Sequence, residues 1–132
     1  PDNNQKMHLL RAEKIQRIQR DIPDLEVMGA QSGKLLVLGW GSTYGSIYQA
    51  VTDLEKEKIK VSFAQLAHMN PFPKNLGSVL EKFERILVPE LNMGQLYVML
   101  RAQYPGNFIP LNKVQGQPFK ISEIYQKIMD LA

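Results

Sequence analysis

An α/β domain whose mostly parallel sheet is covered by helices on both faces is predicted by three features of this 132-residue chain. Strand-like and helix-like segments alternate along most of its length, the pattern of βαβ units. Leu35-Leu36-Val37-Leu38 is a continuous apolar run of the kind buried on both faces of a parallel sheet. That run passes through Gly39-Trp40-Gly41-Ser42-Thr43-Tyr44-Gly45 into residues with helical periodicity, so a strand, a glycine turn and a helix start follow one another. With 44% hydrophobic residues the chain can bury one core, and it reads as a single globular domain.

Taken in order, Leu10 to Ile22 places Ile15, Ile18 and Ile22 on a narrow stripe among basic residues, a linker helix that Pro23 follows. Glu26 to Met28 is a short first strand and Leu35 to Trp40 a second. From Thr43 to Lys58, the apolar residues Ile47, Ala50, Val51 and Leu54 fall at helical spacing, and Ile59 to Leu66 then alternates as a strand. A helix from about Leu76 to Phe83 precedes a strand from Arg85 to Leu91. Asn92-Met93-Gly94-Gln95 opens the helix that carries Leu96, Met99 and Leu100. Phe108 to Val114 supplies a last strand, and Ile121, Ile124, Tyr125 and Ile128 define a terminal helix. The count is about five strands, with no internal repeat.

Composition excludes several chemistries. There is no cysteine, so disulfides, thiolate zinc sites, cysteine nucleophiles and iron–sulfur ligation have no donor in this chain. A net charge of +3, with basic residues clustered only at Lys6, Arg11, Lys14, Arg17 and Arg20, gives nucleic-acid binding only weak support, and the Arg11, Lys14, Arg17 and Arg20 stripe reads as a solvated helix face before a site for phosphate or an acidic partner. No apolar stretch approaches the roughly 20 residues of a bilayer span, and no membrane association is expected. The polar start at Pro1, without an initiator Met, reads as a piece of something longer.

The motifs lie where strands hand over to helices. Gly39, Gly41 and Gly45 resemble a dinucleotide fingerprint, but its third glycine position holds Tyr44, and Ala64 to His68 offers no ribose-binding carboxylate. A tight turn with Ser42 or Thr43 capping the helix explains the same residues. Asn92 with Gln95 three positions on forms a capping-box pattern, whereas Glu90, at a strand end, is less readily a cap and suits an inter-domain bond. His68-Met69-Asn70-Pro71-Phe72-Pro73 is a stiff loop that would display Phe72 for contact or fold it back on the domain. His68 has no carboxylate or nucleophile partner in sequence, and the other carboxylates sit on helix faces, so no catalytic or metal-binding residue is assigned. The Tyr44 and Tyr48 pair is expected to cover the core rim.

Leu38-Gly39-Trp40-Gly41-Ser42-Thr43-Tyr44-Gly45, Asn70-Pro71-Phe72-Pro73, Pro89-Glu90-Leu91-Asn92-Met93-Gly94-Gln95-Leu96 and the following Arg101, in that order and spacing, resemble the C-terminal domain of the alpha subunit of 2-oxoacid:ferredoxin oxidoreductases, closest to the 2-oxoglutarate type. The resemblance implies a three-layer, transketolase C-terminal-like fold of five strands with one antiparallel edge strand, for which Glu26 to Met28 is the candidate. It implies a linker over residues 1–24 from a preceding thiamine-enzyme domain, with the domain itself over 25–132. The family's enzymes use thiamine diphosphate with Mg²⁺, an iron–sulfur cluster in the partner subunit and coenzyme A as co-substrate. This piece is expected to hold no cofactor, to be inactive alone, and to be cytoplasmic. Its partners are the preceding domain, the beta subunit and, through the holoenzyme, ferredoxin. The residues implied for the domain and subunit interface, or for a coenzyme A-side loop, are Gly39, Gly41, Ser42, Thr43, Gly45, Asn70, Pro71, Phe72, Glu90, Asn92, Gly94, Gln95 and Arg101. Alanine at Glu90 or Asn92 should then weaken assembly more than folding, apart from about 1 kcal/mol for a lost cap. A stand-alone nucleotide- or anion-binding module using the Gly39–Gly45 turn is the alternative.

Overall fold

The computed structural model describes residues 17–91, 94–113 and 117–132. Residues 17–21 are helical and are followed by five strands: β1 (Val27–Met28), β2 (Gly33–Trp40), β3 (Ser62–Leu66), β4 (Phe83–Glu90) and β5 (Phe108–Asn112). The helices between and after them are α1 (Tyr44–Lys56), α2 (Leu76–Leu80), α3 (Gln95–Gln103) and α4 (Ile121–Leu131). A single sheet has the order β1-β3-β2-β4-β5. Only β1 runs antiparallel, pairing Val27 with Ala64 and Met28 with Phe63 at one edge, so the odd strand is the short first one, as expected.

The unbroken apolar run of β2 has its explanation in two cores. Successive side chains of a strand point to opposite faces. Leu35 and Val37 pack with Ile47 and Leu54 of α1, Phe119, and Ile124 and Ile128 of α4. Leu36 and Leu38 face the other way, against Leu76 and Leu80 of α2, Leu96 and Leu100 of α3, Leu25 and Phe72. The sheet is therefore the middle of three layers, which is why β2 has no polar alternation.

Boundaries differ from the expected ones where periodicity misleads. Leu76, Val79, Leu80 and Phe83 keep helical spacing, but the chain turns at Glu81 and Lys82, and Phe83 begins β4 opposite Gly33. Ile59 and Val61 pack against the α1 and α4 core before sheet pairing starts at Ser62, so β3 is shorter than the apolar alternation. β5 ends at Asn112; Val114, the basic Lys6, Arg11 and Lys14, and most of the linker helix lie outside the described residues. Arg17 and Arg20 are exposed.

The last helix is tied down at both ends. The Arg85 guanidinium on β4 donates to the Leu131 carbonyl, where α4's free carbonyls need partners. At its start, Glu123 Oε1 accepts from Lys113 Nζ at 2.5 Å and from the Lys120 amide at 2.9 Å. The Lys113 bond first and the Lys120 bond second hold the Glu123 carboxyl below its ordinary range. A carboxylate whose folded-state pKa is lowered stabilises above its unfolded pKa, and that stabilisation is lost as pH falls through the folded value. Glu123→Gln should therefore be less stable than wild type at neutral pH in urea titrations, and the gap should close below about pH 4, under the ordinary glutamate value. A gap that persists undiminished into strong acid would refute this account of Glu123.

Candidate functional site

β2 to β5 run parallel, so the Gly39–Gly45 turn, the loop after β3 and the residues after β4 share the carboxyl edge of the sheet. From β2 the chain goes to β3 on one side, then to β4 and β5 on the other, which puts the switch in strand order between β2 and β4. That crevice is the usual ligand position of an open α/β sheet.

Here the crevice is filled by the chain's own carboxylate. Glu90, the last residue of β4, is 1% exposed. Its Oε1 accepts from the Leu96 amide at 2.7 Å and from the Trp40 indole N–H of β2 at 3.2 Å, while Oε2 accepts from the Tyr97 amide at 3.1 Å. The first amides of a helix lack internal partners and attract negative charge, so Glu90 sits where an anionic ligand of α3 would sit. α3's N-cap is Gly94 at φ +82°, with no side-chain cap bond, and the carboxylate reaches these amides from six and seven residues back. Gly94 is also where Asn112 of β5 comes close, since an added Cβ would stand 3.4 Å from its Nδ2. Asn92 lies outside the described residues, and Gln95 is exposed at the first position of α3.

The three glycines of the β2 turn have different reasons. At Gly39 a Cβ would stand 2.6 Å from both Gln65 Oε1 and Ile47 Cδ1, so any side chain there would force both to move. Gly41 has φ +66° with open space around it, so it serves the backbone path. Gly45 is exposed on α1 and meets neither demand. The Gln65 Nε2 group donates to the Gly41 carbonyl at 3.1 Å and braces the turn from β3, while its Oε1 is buried without a partner. Neither Ser42 nor Thr43 caps α1: a 3-10 turn over Gly41–Thr43 leads into the helix, and the Thr43 hydroxyl donates back to the Trp40 carbonyl at 2.9 Å. Ser42 is exposed and Thr43 buried. Gly41→Val should cost about 2 kcal/mol through backbone strain alone, read as a lower urea midpoint with unchanged slope.

Phe72 does not present a contact surface. It is 2% exposed and packs at 6.0 Å on Tyr104, because the loop folds back over the α2 and α3 face. Pro71 is half-buried, with a cis Asn70–Pro71 peptide, and Asn70 itself is exposed. Arg101 lies about 9 Å along α3 from Gln95 by helical rise, and it is occupied with Tyr97, whose ring centroid is 5.6 Å from the guanidinium carbon. Tyr44 and Tyr48 stack at 5.8 Å, and Tyr44 leans on Phe63 at 5.6 Å, as a rim over the core should.

Two features had no sequence signal, since their parts are far apart in the chain. A cleft of about 350 Å³ opens between the leading segment (Pro23, Leu25, Glu26, Met28), Tyr44 and the loop after β3, with exposed His68 on its wall. Asn75 holds the leading segment by its side-chain amide. Among the described residues no three His, Cys, Asp or Glu side chains gather as metal ligands, and no helix is long and apolar enough to cross a membrane.

Fold and edge together define an α/β domain of the transketolase type whose ligand position is filled from within. The same fold recurs in a split-gene transketolase, with a TM-score of 0.60 over 80% of this chain and 41% of that one at 13% identity. Residues 33–124 match the family model described as pyruvate:ferredoxin oxidoreductase core domain II, and the chain belongs to that family. It is 42% identical, over 94% of its length and 19% of the relative's, to "2-oxoglutarate oxidoreductase subunit KorA" of Mycobacterium tuberculosis. It is similar over 99% of its length, with a TM-score of 0.91 and 27% identity, to 23% of the 2-oxoglutarate:ferredoxin oxidoreductase chain of Magnetococcus marinus, solved with 2-oxoglutarate, coenzyme A and succinyl-CoA bound. The chain spans about a fifth of the length of this mycobacterial relative and of the 2-oxoacid:ferredoxin oxidoreductase alpha subunit of Saccharolobus solfataricus, to which it is 36% identical.

Proposed function

We propose that this chain is a non-catalytic assembly domain in the alpha subunit of a thiamine diphosphate-dependent 2-oxoacid:ferredoxin oxidoreductase, which decarboxylates 2-oxoglutarate oxidatively onto coenzyme A and reduces ferredoxin. The observation that carries this reading is Glu90: the crevice that would take a ligand is closed by three hydrogen bonds to the chain's own carboxylate. The mycobacterial and Magnetococcus relatives support the parent enzyme and its substrate.

In this reading residues 1–24 arrive from a thiamine-binding domain and 25–132 form the assembly domain of a cytoplasmic enzyme. Gly39, Gly41, Ser42, Thr43, Gly45, Asn70, Pro71, Asn92 and Gln95 form the edge that meets the preceding domain and the beta subunit. Glu90 and Gly94 fix that edge from beneath, Phe72 anchors its loop from inside, and Arg101 stiffens α3 behind it. The donor set does not suit the parent's inorganic groups: cysteine is absent, and no three-ligand cluster exists among the described residues. An iron–sulfur cluster therefore has no thiolate donor here, and in this reading the chain's contribution is placement, where about 1 Å can be worth roughly 100-fold in rate. The family match and the relatives favour this reading over the nucleotide-module alternative.

The test is coenzyme A-dependent reduction of a low-potential dye by the full-length parent chain co-expressed with its partner subunit. Activity with 2-oxoglutarate, and none from the 132-residue chain alone, is the expected result. Activity only with pyruvate or a branched 2-oxoacid would keep the family and discard the substrate. No activity with any 2-oxoacid, in an enzyme loaded with cofactor and cluster, would overturn the proposal.

A further inference from the structure

Upstream of β1, residues 19–25 are fastened by side-chain bonds to one place on the domain. The Leu25 amide donates to Asn75 Oδ1 at 2.7 Å, and Asn75 Nδ2 donates to the Leu25 carbonyl at 2.9 Å. One side-chain amide thus pairs with both backbone groups of a residue 50 positions away. Close by, Gln19 Nε2 donates to the Phe72 carbonyl at 3.0 Å, Lys74 meets Asp24 at 2.9 Å, and Ile22 and Leu25 are buried. Every one of these polar contacts lands within residues 72–75. The Lys74–Asp24 pair is exposed on both sides and contributes little. The two-point pairing of Asn75 fixes direction as well as distance.

Local structure would use Asn75 differently. It occupies the N-cap of α2, where an asparagine side chain ordinarily accepts from the helix's own second or third amide, yet it makes no such bond. Its amide is committed to Leu25 instead, at the expense of its own helix.

We propose that Asn75 is a positioning residue: it fixes the direction in which the chain upstream of Leu25 leaves this domain, and so places the domain that precedes it. The second half of this statement rests on the parent-enzyme reading. The test uses the full-length parent chain with its partner subunit, comparing wild type with Asn75→Ala by hydrogen exchange and steady-state kinetics. Amides of residues 22–28 should exchange about tenfold faster, the size expected for losing one or two net hydrogen bonds, while those of β4 keep their rates. Turnover should fall at least about tenfold with KM for the 2-oxoacid unchanged, because placement is altered and substrate contacts are not. Faster exchange in β4 as well would mean a general loss of stability and would overturn the proposal, as would unchanged exchange at 22–28. Selective loosening with normal turnover would overturn it too. Should the wild-type parent turn over no 2-oxoacid, that failure belongs to the enzyme reading, and the exchange pattern alone then upholds or overturns the role of Asn75.

Discussion

Glu90→Ala should lower the stability of the domain by about 3 kcal/mol, because three donors lose their acceptor at once and each buried donor left unpaired costs about 1–3 kcal/mol before relaxation. The Leu96 and Tyr97 amides and the Trp40 indole all converge on this one carboxylate. Water can reach part of the gap through half-buried Trp40 and Tyr97, which keeps the sum below its upper bound. This exceeds the loss of about 1 kcal/mol that a simple cap would give, since the side chain joins β2, β4 and α3 rather than closing one helix. Trp40 is the single tryptophan, so urea unfolding followed by its fluorescence reads both the midpoint and the altered indole environment. Glu90→Gln keeps one acceptor oxygen and should lose about half as much. A loss below about 1 kcal/mol for the alanine variant would mean the three bonds are not the joint described.

Gly39→Val should cost about 3 kcal/mol, the upper part of the range for overpacking a filled core. The two atoms that would collide with a new Cβ have little freedom to yield. Ile47 is fully buried against the sheet, and Gln65 is held by its bond to the Gly41 carbonyl. Moving Gln65 aside would release the turn it braces, so the damage should spread to the edge loop. Gly39→Ala should be milder but of the same sign, because the clash begins at Cβ. Urea midpoints for the two variants against Gly41→Val separate crowding from strain: crowding grows from Ala to Val at position 39, and a Gly39→Ala variant as stable as wild type would contradict the contact.

The layers of this fold were legible because burial on two faces leaves a strong mark. Leu35 to Leu38 has no polar interruption, and Ile47, Ala50 and Leu54 or Ile121, Ile124 and Ile128 repeat at helical spacing. Helix and strand could not be separated at Leu76 to Phe83, where helical spacing continues by coincidence through the turn into β4. At the site, the glycine turn and the importance of Glu90 could be read from position alone, at strand ends. What Glu90 does could not, since its partners lie on α3 and, 50 residues away, on β2. Asn92 with Gln95 gave a local capping pattern, and local patterns carry no notice that a strand-end carboxylate will reach the Leu96 and Tyr97 amides. Phe72 between two prolines looked like display, but stiffness does not say which way the ring points. Asn75 and the cleft depend wholly on contacts across the fold, and nothing in their local sequence announces them.

The two cores share one sheet but are completed at different moments of synthesis. The α2 and α3 face draws its residues from Leu25 to Phe108, so all of its parts exist once β5 has left the ribosome. The opposite face already carries α1 but also needs Phe119, Ile124 and Ile128, and it stays incomplete until α4 emerges. At ordinary elongation rates of about 5–20 residues per second, the stretch from Phe108 to Leu131 takes roughly one to five seconds. During that interval α1 alone covers one side of a sheet already closed on the other. The final helix therefore completes a face that α1 has only begun to cover, and the Arg85 bond to the Leu131 carbonyl holds its far end to the sheet.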